Sequence, residues 1–357
     1  MKRILLLLLI VMSQTVNGQR KQFSHFSFPN KDANIGWGKS DLDNKYWEID
    51  RSFKKIKLLD FEYINEFNQS RARVSKNNKF NYLDEKLGLI SPIFYKYAGV
   101  FKDGFAQVGI GDDDGFNSKY GFIDLSGNVS IPIQYSSVND FSEGLALVWK
   151  KSGDWGEYIN GKGETVLKNS EFYYSGDFKD GRAGVYKITF QNGKQFTYYA
   201  IINKQGELLT DFKYSYLSEY NSGLAIYKNS NDDYCGLINL DGKEILPCNF
   251  YTRSEYLSEG FALVEKDYKF GFANKEGIAI PLIYEDGVRF QEGLASVKRN
   301  GKWGFINPLG KVVINFQFSN FGFFENGFAV TQKGGKFVTI NKAGQVVKIK
   351  GSVVGDE

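Results

Sequence analysis

The sequence is poor in the residues that carry most enzyme chemistry. Its 357 residues include one histidine, His25, two cysteines, two methionines and six prolines. A single histidine argues against histidine-dependent triads and histidine-rich metal sites, and the cysteines lack zinc-ligand spacing. The sequence has no Gly-x4-Gly-Lys-Ser/Thr phosphate-binding loop. We therefore expect no cofactor, no metal and no enzymatic activity.

The chain also lacks a strong charge of either sign. It has 45 Lys and Arg residues against 41 Asp and Glu residues. Lys2 and Arg3 lie in an N-terminal segment that we expect to be removed, so the mature protein is nearly neutral. This balance gives no electrostatic reason to expect a nucleic-acid partner.

Residues 1–18 are interpreted as a secretory signal peptide. Lys2 and Arg3 form its charged end, residues 4–12 its apolar core, and residues 16–18 a small-residue exit. The apolar stretch is short for a membrane span, and an uncleaved anchor is the alternative. No cysteine follows the core, so lipoprotein processing is not indicated. We expect a secreted, periplasmic or cell-surface protein without a stable membrane span after cleavage.

What the chain has in abundance is glycine, with 39 residues, and aromatic residues, at 16%. Seven times an Asn or Asp stands three residues before a Gly and just after an apolar pair, as in Asp124 to Gly127 and Asn307 to Gly310. The acidic or amide side chain can bond back to the turn, and Gly takes the left-handed position. This spacing predicts a recurring β-hairpin turn.

A second motif, Phe-x-x-Gly-x-Ala-x-Val, shows that the turn belongs to a longer repeat. It occurs at 101–108, 141–148 and 290–297, and looser copies start at Phe67, Phe178, Tyr220, Leu257 and Phe324. The spacing of 33 to 42 residues from one start to the next is typical of solenoids, propellers or arrays. The pattern predicts three short strands in each unit. The first is Gly-x-Ala-x-Val, the second is the aromatic-Gly-aromatic run, and the third follows the turn.

The dipeptide Trp303-Gly304 follows Asn-Gly-Lys at 300–302 and a copy of the Phe-x-x-Gly-x-Ala motif at 290–295. This combination resembles the bacterial WG-repeat family. Trp155-Gly156 and the variants at 120–121, 235–236 and 270–271 fit as degenerate copies. The resemblance covers about residues 61 to 347. It implies a tandem β-repeat protein, and the family offers no shared catalytic residues to transfer. The glycine next to each aromatic residue is expected to allow a neighbouring backbone or ring to approach closely.

The predicted fold is therefore all-β, with tandem three-stranded meanders. We expect a signal peptide at 1–18, a flexible non-repeat leader at 19–45, the repeat domain at 46–350 and a tail at 351–357. A propeller-like closed ring of about eight units, in which residues 55–63 complete the last unit, would leave no exposed sheet edge. An open twisted β-solenoid is the alternative.

Cys235 and Cys248 lie in the second and third strands of one unit. Export permits a disulfide between them. A bulged turn after Asn239 would instead place them on opposite faces of the sheet, as two packed thiols. Both alternatives stay open from the sequence.

Candidate binding residues are those that depart from the repeat. Asp112, Asp113 and Asp114 form an acidic insertion, read mainly as a solvated loop and otherwise as oxygen ligands for a cation. Phe196, Tyr198 and Tyr199 are aromatic residues off the repeat pattern beside an insertion, and insertions in repeat proteins often form a binding face. The repeated acids before each motif Gly, such as Asp103 and Glu292, are interpreted as solvated turn residues.

These observations favour a non-enzymatic scaffold that binds a protein or a glycan through loops on one face. The alternatives are a propeller-type carbohydrate-active enzyme with paired carboxylates and a passive structural protein of the cell envelope.

Overall fold

The computed structural model describes Arg20 and residues 22–112, 117–229, 234–252 and 257–347. Its regular elements are all β-strands, which confirms the all-β prediction. The predicted signal peptide, Asp113, Asp114 and the predicted tail lie outside the described residues. Within the described ranges, no helix has the length and apolar character that crossing a membrane would require.

The chain divides into two compact units, residues 1–170 and 171–357. The described residues of the first unit form four antiparallel meanders in chain order. Sheet 1 contains β1 (Phe23–Ser27), β2 (Ile35–Ser40), β3 (Tyr46–Asp50) and β4 (Lys55–Leu59); sheet 2 contains β5 (Tyr63–Ile64), β6 (Ala72–Lys76) and β7 (Lys79–Leu83); sheet 3 contains β8 (Tyr97–Ala98), β9 (Phe105–Ile110), β10 (Lys119–Asp124) and β11 (Val129–Tyr135); sheet 4 contains β12 (Ser137–Val138), β13 (Leu145–Trp149), β14 (Glu157–Asn160) and β15 (Thr165–Leu167).

The described residues of the second unit form five further meanders. Sheet 5 contains β16 (Tyr173–Tyr174), β17 (Arg182–Gln191) and β18 (Lys194–Asn203); sheet 6 contains β19 (Tyr216–Leu217), β20 (Leu224–Lys228), β21 (Cys235–Asn239) and β22 (Glu244–Phe250); sheet 7 contains β23 (Leu257–Ser258), β24 (Phe261–Lys266), β25 (Lys269–Asn274) and β26 (Gly277–Tyr284); sheet 8 contains β27 (Asp286–Gly287), β28 (Ala295–Arg299), β29 (Lys302–Ile306) and β30 (Val312–Phe318); sheet 9 contains β31 (Phe324–Glu325), β32 (Phe328–Lys333) and β33 (Lys336–Asn341).

The prediction of three strands for each unit is wrong. Six of the nine sheets have four strands, because a two-residue or longer strand precedes the three predicted ones. In sheets 2, 5 and 9 the outer fourth position is held by isolated bridges, for example Tyr95 to Phe80 and Val346 to Ile340. The first strand was missed because most such strands, like β8, span only two residues, too few to show alternation.

The prediction of a flexible leader at 19–45 is also wrong where this segment forms strands β1 and β2. Strands β1 and β2 lie within it; β1 pairs with β2, and β2 pairs with β3. The segment that was expected to complete the last unit, 55–63, instead supplies β4, which pairs with β3 in sheet 1. Tertiary pairing orders this region although its sequence does not show the repeat.

The predicted Asn/Asp-x-x-Gly turn is confirmed. At the end of β10, Asp124 Oδ1 accepts hydrogen bonds from the N–H groups of Ser126 and Asn128, at 2.8 and 3.0 Å. Gly127 follows with φ of 83°, and the register shifts at this point. Asn160, Asn203, Asn239, Asn307 and Asn341 make the same pair of bonds.

The Phe-x-x-Gly motif forms a second, tighter turn. In Lys102-Asp103-Gly104-Phe105 the outer residues exchange both backbone hydrogen bonds, at 2.8 and 2.9 Å. Asp103 and Gly104 both have positive φ, 49° and 84°. This is the geometry of a two-residue type I′ hairpin, and it explains why Gly is needed at the second position.

Apolar clusters join consecutive sheets inside each unit. One cluster combines Phe122 and Ile131 of sheet 3 with Phe141 and Val148 of sheet 4, and the other clusters are built in the same way. At four of these junctions an aromatic ring of one sheet meets the motif Phe of the next, and the Phe122 and Phe141 ring centroids, for example, lie 4.8 Å apart. An edge-to-face pair contributes about 0.5–1.5 kcal/mol beyond the burial of its area. Neighbouring sheets inside each unit are therefore held together by shared apolar packing, to which aromatic pairs contribute at these four junctions.

Cys235 and Cys248 are thiols in the structure, so the disulfide alternative is not realised. The register shifts between Cys235 and Leu237, as expected for a bulge. Cys235 lies in the cluster that sheet 6 shares with sheet 7, and Cys248 packs against the cluster shared with sheet 5. The bulge thus directs the two side chains to opposite faces.

Candidate functional site

One position of the repeat is glycine in four of the nine sheets and carries a charged residue in sheet 4. In sheets 3, 6, 7 and 8 the residue of the third strand that lies opposite the last residue of the Gly-x-Ala-x-Val motif is glycine: Gly121, Gly236, Gly271 and Gly304. In sheet 4 the residue at this place, opposite Val148, is Glu157. A charged side chain therefore replaces a hydrogen atom at a position fixed by the register.

The glycines are required because the outer strand passes directly over them. A Cβ on Gly121 would lie 2.5 Å from the carbonyl oxygen of Ile131, and one on Gly304 would lie 2.8 Å from that of Ile314. Such distances are well inside normal contact. The sequence-based expectation of a close backbone approach at these glycines is confirmed.

Sheet 4 accommodates Glu157 because its outer strand is short. Strand β15 has three residues, whereas β11, β22 and β30 have seven. β15 pairs with β14 only through Tyr158 and Ile159, so it ends before it would cover Glu157. The sequence misled us here: Trp155-Gly156, read as a repeat copy, lies one residue too early, and Glu157 occupies the glycine place.

Glu157 is held by two lysines. Its side chain is buried, and the residue is only 3% exposed. Lys150 Nζ lies 2.7 Å from Glu157 Oε1, and Lys168 Nζ lies 3.5 Å from Oε2. Burial alone raises the pKa of Glu157, but the hydrogen bond from Lys150 and the charges of both lysines outweigh burial and hold that pKa below its ordinary value. The hydrogen bond to Glu157 in turn raises the pKa of Lys150.

This ion-paired carboxylate opens onto a cavity of about 230 Å³. We call it the Glu157 pocket, and its polar and aromatic lining residues are Lys150, Asp154, Trp155, Glu157, Lys168, Asn169 and Ser170. Trp155 is 37% exposed. Asp154 is fixed by a hydrogen bond of 2.9 Å from the N–H of Lys151 to its Oδ2. The pocket therefore combines a half-exposed ring with donors and acceptors at defined positions.

A second feature that departs from the repeat is the long hairpin of β17 and β18. Both strands have ten residues and pair continuously from Arg182–Asn203 to Gln191–Lys194. Asn192 and Gly193, with φ of 51° and 74°, form its two-residue turn. Two of the predicted binding residues, Phe196 and Tyr198, lie on one face with nearly parallel rings 6.4 Å apart. Tyr199 lies on the other face, partly buried against the cluster of sheets 5 and 6.

The outer half of this hairpin, residues 187–198, is what we call the projecting ribbon. On one edge, β16 pairs with Val185 and Tyr186; on the other, the bridge from Tyr214 reaches β18 at Tyr199. Phe190 is 72% exposed, and Ile188 is exposed as well. Sequence reasoning found the aromatic residues of β18 but missed Ile188 and Phe190, because they lie in a strand with ordinary alternation.

The third predicted site is only partly described. Asp112 is exposed, and its Oδ2 accepts a hydrogen bond of 2.8 Å from Asn117. It lines an open cavity with Asn77, Asn78 and Lys96. Asp113 and Asp114, which would complete the acidic insertion, lie outside the described residues.

The acids before the motif glycines are not simply solvated turn residues. Five times the side chain at this place accepts a hydrogen bond, of 2.8 to 3.0 Å, from the glycine N–H of the next motif. The pairs are Gln69 with Gly104, Asp103 with Gly144, Asp180 with Gly223, Glu259 with Gly293, and Glu292 with Gly327. These side chains link neighbouring sheets, which explains their recurrence without any catalytic role.

The family comparison matches this repeated architecture. The family model described as "WG containing repeat" matches residues 49–80, 120–151, 199–232, 236–270, 270–303 and 303–337, more than half of the chain. The chain belongs to the WG-repeat family. The WG-repeat matches leave out residues 152–198, a stretch that contains Trp155, Glu157, Lys168 and the projecting ribbon. Both candidate sites therefore lie where this WG-repeat protein departs from the repeat of its family.

Solved structures similar to this WG-repeat protein are distant. The chain matches KlHsv2 with loop 6CD replaced by a Gly-Ser linker, at 11% identity and a TM-score of 0.26, over 46% of this chain and 61% of the other. It matches apo AztD from Citrobacter koseri at 10% identity and a TM-score of 0.31, over 88% of this chain and 91% of the other. It matches a prolyl endopeptidase at 12% identity and a TM-score of 0.35, over 93% of this chain and 59% of the other. It thus spans less than two thirds of the first and third of these chains. No curated protein matches it.

Proposed function

We propose that this WG-repeat protein is an exported, non-enzymatic scaffold that binds a protein partner through the projecting ribbon. The observation that carries the proposal is the continuation of β17 and β18 beyond the strands that flank them. An extended segment of another protein can add to such an edge by main-chain hydrogen bonds, with side-chain contacts supplying specificity.

The exposed apolar side chains support a docking role. Phe190 and Ile188 lie on the same face of β17, because alternate residues of a strand share a face. A flat edge with apolar residues favours unwanted pairing between chains unless it is blocked or covered. A partner strand would cover both the edge and the Phe190 ring.

The charge of the ribbon indicates the chemistry of the partner. Residues 187–198 contain Lys187 and Lys194 and no acidic residue. We therefore propose a partner segment with acidic residues, for which this positive charge favours encounter.

The non-enzymatic part of the proposal rests on the carboxyl groups. Among the described residues, each carboxyl whose pKa departs clearly from its ordinary value has it lowered: Asp43, Asp50, Asp60, Glu157, Glu244, Glu285 and Glu292. A glycosidase acid needs the opposite shift, so that it keeps its proton at neutral pH. These lowered pKa values favour a binding role over the carbohydrate-active alternative.

The test compares the full chain with two variants in capture experiments on envelope extracts, followed by titration of the purified captured protein. Phe190→Ser should weaken saturable binding by about tenfold, and added salt should weaken it further. Phe337→Ser changes a ring that is similarly exposed, at 61%, on the hairpin of sheet 9, and it should bind normally. Equal binding by the two variants would count against the ribbon. Retention in the wall fraction after high-salt washing, without any saturable partner, would favour a passive envelope protein.

The arrangement of the sheets as a propeller-like closed ring is also proposed, with an open twisted solenoid as its alternative. Small-angle scattering tests it, since a compact domain of this length has a radius of gyration of about 20 Å. A maximum dimension well beyond ~70 Å for the repeat domain would favour the solenoid.

A further inference from the structure

The Glu157 pocket is built at one place in the repeat and serves no packing role that the other sheets need. The equivalent glycines of sheets 3 and 8 lie under the carbonyl oxygens of Ile131 and Ile314, and those sheets close without any charged group. In sheet 4 a buried carboxylate, two lysines and a cavity take the place of the missing outer-strand residues. Burying a carboxylate is unfavourable, so its partners must compensate for the lost hydration.

The charges in the pocket decide what class of ligand fits. Glu157 is already neutralised by Lys150 and Lys168, and Asp154 lies in the same lining. An anionic ligand would meet two carboxylates, and a cationic ligand would meet two ammonium groups. A neutral ligand avoids placing an uncompensated charge in a partly buried site.

The remaining hydrogen-bonding capacity favours hydroxyl groups. A carboxylate has about four acceptor positions and an ammonium three donors, so the pairs with Lys150 and Lys168 leave acceptors and donors side by side. A hydroxyl both donates and accepts, and two adjacent hydroxyls can therefore donate to Glu157 or Asp154 while accepting from a lysine. The half-exposed Trp155 ring offers an apolar surface for the C–H face of the same ligand.

We propose that the Glu157 pocket binds a neutral, hydroxyl-rich ring, namely one monosaccharide unit. The cavity of about 230 Å³ corresponds to roughly eight water molecules at ~30 Å³ each, which suits a single sugar ring. The residues of this pocket are different from those of the projecting ribbon, so sugar binding and binding of the proposed protein partner can be tested independently.

Binding is tested with the full chain by calorimetry and saturation-transfer NMR, using glucose, galactose, mannose and N-acetylglucosamine as neutral probes. Glucuronate and glucosamine serve as the charged counterparts. At least one neutral sugar should bind saturably, and more tightly than both charged sugars. No saturable binding of a neutral sugar, or tighter binding of glucuronate or glucosamine, would overturn the proposal.

Variants locate the site. Trp155→Ala and Lys168→Met should each weaken sugar binding by about tenfold, because they remove the ring surface and a donor without touching the sheet pairing. Lys162→Met changes a lysine of the Asn160 turn outside the pocket lining and should leave binding unchanged. Glu157→Gln tests the carboxylate, and thermal melting establishes that each variant is folded. Unchanged binding in folded Trp155→Ala and Lys168→Met variants would place the sugar elsewhere and overturn the proposal.

Discussion

Asp103 Oδ2 accepts a hydrogen bond of 2.9 Å from the backbone N–H of Gly144, 41 residues further along the chain. Asp103 has positive φ in its own turn, and Gly144 has positive φ in the next one. The same link recurs between Glu259 and Gly293. One acidic residue thus completes its own hairpin and ties that hairpin to its neighbour.

Removing this link should destabilise the junction of sheets 3 and 4. Asp103→Gly keeps the positive φ without strain and deletes the acceptor, so we expect a loss of about 0.5–1 kcal/mol. Asp103→Asn keeps an acceptor and tolerates this φ, and it should lose less. Urea unfolding midpoints measure the difference. A Gly variant as stable as the Asn variant would show that the bond contributes nothing.

The link at Glu292 should make stability depend on pH. The Gly327 N–H, and then Lys342, hold the pKa of Glu292 below its ordinary value of 4.5. Because the folded state favours the carboxylate, Glu292 contributes to the free energy of unfolding. This contribution is complete above pH 4.5 and is lost as the pH falls through the lowered pKa. In Glu292→Gln the decline of the unfolding midpoint on acidification should be shallower than in the unmodified chain. Glu276→Gln, at an exposed turn glutamate, serves as the control and should follow the unmodified chain.

The repeat glycine should not tolerate even a methyl group. In Gly304→Ala the new Cβ would lie 2.8 Å from the Ile314 carbonyl oxygen, and β30 must move away, at a cost of about 1–3 kcal/mol. Gly88→Ala is the matched control, since its Cβ would be in ordinary contact at 3.5 Å from Asp84. Thermal unfolding of both variants checks this, and equal melting temperatures would contradict it.

The two cysteines should behave as thiols. We expect two titratable thiols for each chain after denaturation without reductant, because the bulge in sheet 6 directs Cys235 and Cys248 to opposite faces. In the folded protein Cys235 should react slowly, since it is buried. If thiols were detected only after reduction, the assignment of Cys235 and Cys248 as thiols would be wrong.

The sequence predicted best what depends on a few adjacent residues. The turn at Asp124 is set by one side chain and one glycine, and both can be recognised directly. The two-residue strand β8 could not be predicted, because its formation depends on pairing with β9 across a turn. Strands β1 and β2 were missed because residues 19–45 do not show the repeat, although Trp37 of β2 is buried in the structure.

The Glu157 pocket was hidden for a different reason. Trp155-Gly156 looks like the repeat motif, and only the register opposite Val148 shows that Glu157 holds the glycine place. The early end of β15 is a property of pairing, not of any motif. Aligning each unit backward from its Asn-x-x-Gly turn would have found Glu157 from the sequence.

The sharing of each apolar cluster between consecutive sheets has a consequence for synthesis. During synthesis, the apolar side chains of the most recently formed sheet are exposed until the next sheet is made. Phe122, for example, is uncovered until Phe141 can pack against it. The C-terminal end of the nascent chain therefore exposes an apolar surface until the next meander has been synthesised. Pausing or premature release at such a stage would leave a fragment prone to aggregation.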